Sequence, residues 1–260
     1  MINNPCRNKI LNNKPIIGSW IQIPDPVSAE IMTRAGFDFL AIDTEHGIMD
    51  LETVSNLIRA IESISKTVIP MVRLAGNDYS ITKRYLDAGA KGIIVPFVNS
   101  NSEALEIIRS AKYYPDGERG VGFCRANNYG VDFEKYISEA NENILIVAQI
   151  ENIIAIGNID DIISIPLIDA VFIGPYDISA SMGIPGQLNH PKMKEAISTV
   201  LNKGNEYGKT VGIHVVAPDP EEVKRNLKNG FNMIAYSLDT VMLAQMCSIG
   251  LKQIKELLYE

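Results

Sequence analysis

Eight short apolar runs rich in β-branched residues recur along this chain, separated by longer segments of helical character, and this alternation narrows the fold more than any other feature. The runs cover residues 15–23, 37–43, 67–73, 91–97, 143–150, 169–174, 209–215 and 231–237. Most are continuously hydrophobic, as strands are when helices cover both faces of a parallel sheet. Between them, residues 50–64, 80–89, 102–114, 190–208 and 219–230 read as helices. The pairs Ala35-Gly36, Ala88-Gly89 and Asn229-Gly230 stand where helix C-caps are expected. Strict alternation leaves two architectures, a closed barrel or a doubly wound open sheet. No G-x-G-x-x-G follows the first strand, and polar residues cluster at the C-terminal ends of many strands, whereas an open sheet concentrates them at one switch point. One (β/α)8 barrel needs about 250 residues, so residues 1–260 are expected to form a single α/β domain, a TIM barrel. The irregular stretch 115–132, rich in Gly, Asn and Arg, is expected to be a lid or interface loop at the C-terminal face.

Composition removes several function classes. A net charge of -7 argues against nucleic-acid binding, which calls for a basic face. The cysteines Cys6, Cys124 and Cys247 are far apart and form no C-x-x-C pair, which suits a reducing compartment and gives no thiolate metal site. The polar start, residues 1–15, does not resemble a signal peptide, and no run approaches the roughly 18 apolar residues that span a bilayer. A cytoplasmic location without membrane contact is the expectation.

Chemistry gathers at the strand ends. The second strand ends in Asp43-Thr44-Glu45-His46-Gly47, where an acid pair and an imidazole leave a buried strand together at the face where barrel sites form. His46 can act as a base near neutral pH. A lone histidine is also often structural. Arg73 closes the third strand, where a guanidinium suits a carboxylate or enolate oxygen as well as an ordinary ion pair. Gln149 and Glu151, two residues apart on the fifth strand, share a face. Asp177 follows Gly174-Pro175-Tyr176 after the sixth. Glu151 and Asp177 can together bind a hard divalent cation, or serve as unrelated helix-start carboxylates. Trp20 and His214 read first as core residues, His190 as a helix cap, and Asp87 as a surface acid late in its helix.

In this order the segments resemble the HpcH/HpaI aldolase family of metal-dependent pyruvate aldolases, which also holds citrate-lyase-like relatives. The matching pieces are GFDFLAIDTEHG (36–47), PMVR (70–73), LDAGAKGIIVPFV (86–98), YYPDGERGVG (113–122), QIE (149–151) and FIGPYDISASMGIPGQ (172–187). The resemblance implies that Glu151 and Asp177 ligate Mg²⁺, Mn²⁺ or Co²⁺, which pyruvate chelates through its carboxylate and keto oxygens. It further implies that His46 is the general base with Asp87 fixing its tautomer, and that Arg73 stabilises the pyruvate enolate. Gln149 then lines the substrate site, and the substrate carboxylate rests on backbone N–H groups after Gly174, those of Tyr176 and Asp177, because Pro175 has none. Cleavage of a 4-hydroxy-2-oxo acid to pyruvate and an aldehyde follows, with no lysine Schiff base.

Tyr176 replaces a small residue frequent in such aldolases, and His214 stands where some relatives carry an aliphatic side chain. Both point to a polar, hydroxylated aldehyde, with Trp20 and Arg125 as further pocket walls. The same site also suits oxaloacetate decarboxylation or citrate-synthase-like condensation, and a barrel that binds a metabolite without turnover is the non-enzymatic alternative. The resemblance implies a homo-oligomer, a trimer or hexamer, joined through the C-terminal helix 239–260, whose one face is apolar.

Overall fold

The computed structural model describes residues 4–259, and its eight parallel strands close into a barrel in the order β1 to β8. The strands are β1 (Ile16–Ile21), β2 (Phe39–Asp43), β3 (Ile69–Arg73), β4 (Gly92–Val95), β5 (Leu145–Ile150), β6 (Ala170–Ile173), β7 (Thr210–Val215) and β8 (Met233–Leu238). Each falls inside, or within one residue of, the apolar run read from the sequence. The helices close where glycine was expected, since Gly36, Gly89 and Gly230 adopt φ values of 86°, 109° and 102°, which a side chain resists.

Alternation along each strand builds two cores. One set of side chains, such as Ile42, Val72 and Ile146, meets the surrounding helices. The other, including Ile16, Phe39, Met71, Leu145, Phe172 and Met233, fills the barrel. Phe39 and Phe172 fit because Gly18 and Gly212 stand opposite them, where a Cβ would enter each ring. This pairing of large with small residues makes the interior a packed core with no pore.

A helix that the sequence reading did not foresee, Pro5–Leu11, plugs the N-terminal end of the barrel. It buries Cys6 and Ile10 against the inner core. Asn4 Nδ2 donates to the carbonyls of Lys91 and Asn143, both at 2.8 Å, and Arg7 pairs with Asp169 at 2.9 Å. With the bottom closed, the C-terminal mouth is the open end. At the β1–β8 seam the register slips between Gly18 and Trp20, and Ser237 takes the left-handed φ of 50°. Such bulges re-aim side chains beside sites. No helix among the described residues is long and apolar enough to cross a membrane.

Candidate active site

Parallel pairing sets Asp43 directly beside Arg73 at the top of β2 and β3. Asp43 is fully buried, and Arg73 grips it with two bonds, Nε to Oδ1 at 2.9 Å and Nη2 to Oδ2 at 2.6 Å. Gln22 Nε2 adds a third donor at 2.8 Å, and the amides of Glu45 and His46 donate to Oδ1 at 3.1 and 3.2 Å. Burial pushes the Asp43 carboxyl up, but the bonds and charge of Arg73, helped by Gln22 and the His46 amide, outweigh it and hold the pKa below the usual range. One carboxylate therefore fixes both the guanidinium and the turn 44–46. Gly47 completes that turn, since a Cβ there would strike the Asp43 carbonyl oxygen. The guanidinium lies 4.4 Å from the centre of the Trp20 ring, a stacking contact that keeps its plane fixed.

Across the mouth, acids converge. Glu151 is 3% exposed, and its pKa is pushed up to about 7 by burial, then by the charges of Glu45 and Asp177. Its Oε2 accepts from the Phe97 amide at 3.2 Å and its Oε1 from Gln149 Nε2. Phe97 presents that amide from a left-handed φ of 52°, a strain of about 1–3 kcal/mol for a residue with a side chain. Gly174 lies under the carboxylate: a Cβ there would sit 2.7 Å from Glu151 Cγ and 2.8 Å from Oε1. Glu45 is also raised, chiefly by burial, with Arg73 and His46 opposing. Its Oε2 stands 3.3 Å from Arg73 Nη1 without a hydrogen bond, and Gln149 Oε1 is likewise buried without a partner.

This donor set fits a hard divalent cation. The charge of Asp177 reaches Glu151 and raises its carboxyl, and two buried oxygens, Glu45 Oε2 and Gln149 Oε1, lack partners. Among the described residues no three His, Cys, Asp or Glu side chains form a complete cage, so water and substrate oxygens have to fill the remaining positions. Asp177 and Tyr176 occupy the first turn of the helix Pro175–Ser181, where amide N–H groups point out of the helix. Tyr176 is 55% exposed at the rim. His46 is exposed, and its ring makes no hydrogen bond among the described residues.

His214, on the inner face of β7, packs edge-on against Trp20 with ring centres 5.8 Å apart. Burial, against a hydrogen bond to the Ser237 backbone and with help from the Arg73 charge, brings its pKa down to about 4. It stays neutral in ordinary buffer.

Two residues and one stretch stand apart from the mouth within a single chain. Asp87 ends the helix Tyr79–Asp87 and accepts from Arg119 Nη2 at 2.6 Å, so within one chain it does not orient His46. Arg119 is itself buried against Tyr113 and Tyr136, which makes the Asp87 pair part of the wall. Arg125 turns away from the mouth of its own chain, bonding the Ala88 carbonyl at 3.1 Å and Glu62 at 2.5 Å, and lines a separate cavity with Gly89 and Tyr129. Within one chain the stretch 115–132 forms no lid, which leaves its other expected use, as an interface loop. It joins a helix to the next helix and strand, and it runs along the flank of Tyr79–Asp87, anchored by the Tyr79 hydroxyl to Glu118 and Gly120. His190 caps its helix as expected, its Nδ1 accepting from the Lys192 amide at 3.2 Å. The reading missed roles for Glu45, Gln22 and the Phe97 amide. Glu45 stood in the same motif as His46, but a backbone N–H leaves no mark in a sequence.

A family model described as HpcH/HpaI aldolase/citrate lyase matches residues 17–245. The 4-hydroxy-2-oxovalerate aldolase of Rhodococcus jostii (strain RHA1) is 34% identical over 245 residues, covering 94% of this chain and 93% of that protein. The 5-keto-4-deoxy-D-glucarate aldolase of Escherichia coli O139:H28 is 35% identical over 224 residues, 86% of each. Among solved structures, an HpcH/HpaI aldolase/citrate lyase family protein from Burkholderia cenocepacia J2315 superposes with a TM-score of 0.93 at 29% identity, over 97% of this chain and 100% of the other.

Proposed function

The chain belongs to the HpcH/HpaI aldolase/citrate lyase family, and from that premise we propose that it is a divalent-metal-dependent lyase cleaving 4-hydroxy-2-oxo acids to pyruvate and an aldehyde. The observation that carries this reading is the buried Glu151 carboxyl, poised near neutrality between Glu45 and Asp177 and facing the clamped Arg73. Such an arrangement serves a reaction that builds negative charge on an oxygen. Glu151 and Asp177 hold Mg²⁺, Mn²⁺ or Co²⁺. The cation, when bound, supplies positive charge and Lewis acidity to the oxygens of the 2-oxo acid.

The chain's own groups do the rest. The free amides of Tyr176 and Asp177 receive the substrate carboxylate, and Gly174 leaves room for it. Gln149 holds Glu151 and lines the site. His46 takes the proton of the C4 hydroxyl, the C3–C4 bond breaks, and its electrons become the enolate of pyruvate. The aldehyde departs. Arg73, prevented from swinging away by Asp43 and Trp20, stabilises the enolate oxygen, a preorganised electrostatic contribution. The enolate then takes a proton at C3 to give pyruvate. The same site serves oxaloacetate decarboxylation or a condensing reaction, which also need such an enolate. The protein acts in the cytoplasm as a homo-oligomer, a trimer or hexamer.

The test is pyruvate release from racemic 4-hydroxy-2-oxo acids of varied length, with Mn²⁺ or Mg²⁺ and with EDTA. Release that depends on added metal supports the reading. Release that survives full metal removal overturns the roles of Glu151 and Asp177, and loss of CO₂ from oxaloacetate without any aldol cleavage moves the assignment to decarboxylation.

A further inference from the structure

Two buried nitrogens on the floor of the mouth lack hydrogen-bond partners, and they are of opposite kinds. Trp20 is 2% exposed and its Nε1 is unpartnered; so is Nε2 of His214. Their rings meet at 5.8 Å with planes 70° apart. An indole N–H only donates. The Ser237 backbone favours the protonated His214 ring, and because Nε2 has no partner we assign that contact to Nδ1. With the proton of the neutral ring assigned to Nδ1 on that ground, Nε2 is a lone pair that accepts. Ser237 is itself fixed, with a left-handed φ of 50° at the seam bulge and its Oγ donating to the Val216 carbonyl at 2.8 Å.

A buried polar group without a partner costs about 1–3 kcal/mol. One chemical group answers both needs at once. A hydroxyl accepts from the indole N–H and donates to the imidazole. A carboxylate has no proton to give, and an alkyl group does neither. Neither nitrogen is open to bulk water, so the partner arrives from within the mouth. The adjacent Arg73 marks where the reacting oxygen sits, and the anionic end of the substrate belongs with the amides after Gly174 on the β6 side.

We propose that Trp20 Nε1 and His214 Nε2 form a hydroxyl-reading subsite, so that the aldehyde this enzyme uses carries a hydroxyl beyond its carbonyl carbon. This deepens the aldolase reading and rests on it. The two relatives quoted above, named for a valerate and a glucarate, show that substrates within the family differ in this respect.

The experiment runs the holoenzyme with Mn²⁺ in the condensing direction, with pyruvate and either glyceraldehyde or propionaldehyde, which have the same carbon count. The expected kcat/KM favours glyceraldehyde by about tenfold or more, the discrimination a built hydrogen-bonding site gives. That ratio falls about tenfold in His214→Leu and in Trp20→Phe, while His214→Gln, whose amide oxygen reaches toward the Nε2 position, keeps part of it. Equal kcat/KM for the two aldehydes, or an equal fall for both in His214→Leu and Trp20→Phe, overturns the subsite and leaves the lyase standing. No condensation with either aldehyde overturns the subsite and the lyase reading together.

Discussion

With its Nε and Nη2 edges held by Asp43, Arg73 turns its Nη1 side to the mouth, where Glu45 lies 3.3 Å away. Asp43→Asn keeps the shape and removes the charge, leaving a guanidinium 11% exposed without its carboxylate. We expect the variant to lose about 3 kcal/mol of unfolding stability in urea and about a hundredfold in kcat/KM. At Glu151 the relevant competitor is the proton. A carboxyl pushed up to about 7 is protonated below that pH, so cation binding must displace a proton there. Affinity for Mn²⁺ should fall about tenfold per pH unit below 7. Calorimetry in buffers of different ionisation enthalpy should show one proton released per cation near pH 6. The same shift acts on the metal-free fold with a definite sign. Because the folded-state pKa lies above the ordinary 4.5, the contribution is full below 4.5 and is lost as pH rises through about 7.

Strand ends and the turns after them carry the site, and the turns after β2 and β6 depend on residues that have no side chain, Gly47 and Gly174. Gly174→Ala places a Cβ 2.7 Å from Glu151 Cγ. The carboxylate has to move, and metal affinity should fall about ten- to a hundredfold, read by calorimetry, with far-ultraviolet circular dichroism unchanged. The helix Pro5–Leu11 acts at the other end. Arg7→Ala removes a charged bond to Asp169, whose Oδ2 also accepts from the Ile146 amide at 2.8 Å. The cost should be about 1.5–3 kcal/mol in urea unfolding. The strands were legible because burial on both faces imposes continuous apolar runs, and the helix ends because Gly36, Gly89 and Gly230 are required there. The helix Pro5–Leu11 was not legible, since seven polar-rich residues carry too little period to stand out. The partner of Asp87 was hidden for another reason: its helix alone does not reveal that Arg119, thirty-two residues onward, folds back to it.

At the scale of the molecule, the plugged bottom and packed interior leave chemistry to one open mouth. Its acids, its arginine and its histidines come from the ends of β2, β3, β5, β6 and β7, which is why strand-end motifs read together, and no single motif, pointed to the site. The helix Asp239–Tyr259 leaves Met246 67% exposed and Ile254 54% exposed, with Leu257 beyond them. Such an exposed apolar face suits the proposed contact between copies of the chain, and we expect Met246→Glu with Ile254→Glu to lower the mass seen by light scattering from that of an oligomer to that of one chain. The central claim is that this mouth makes the enolate of a 2-oxo acid with a divalent cation and Arg73. Its most direct measurement is exchange of the pyruvate methyl protons in D₂O, followed by NMR without any aldehyde. Exchange is expected with Mg²⁺, absent with EDTA and lost in Arg73→Ala. Exchange that persists in the chelated enzyme, or in Arg73→Ala at the rate of the unaltered chain, contradicts the account.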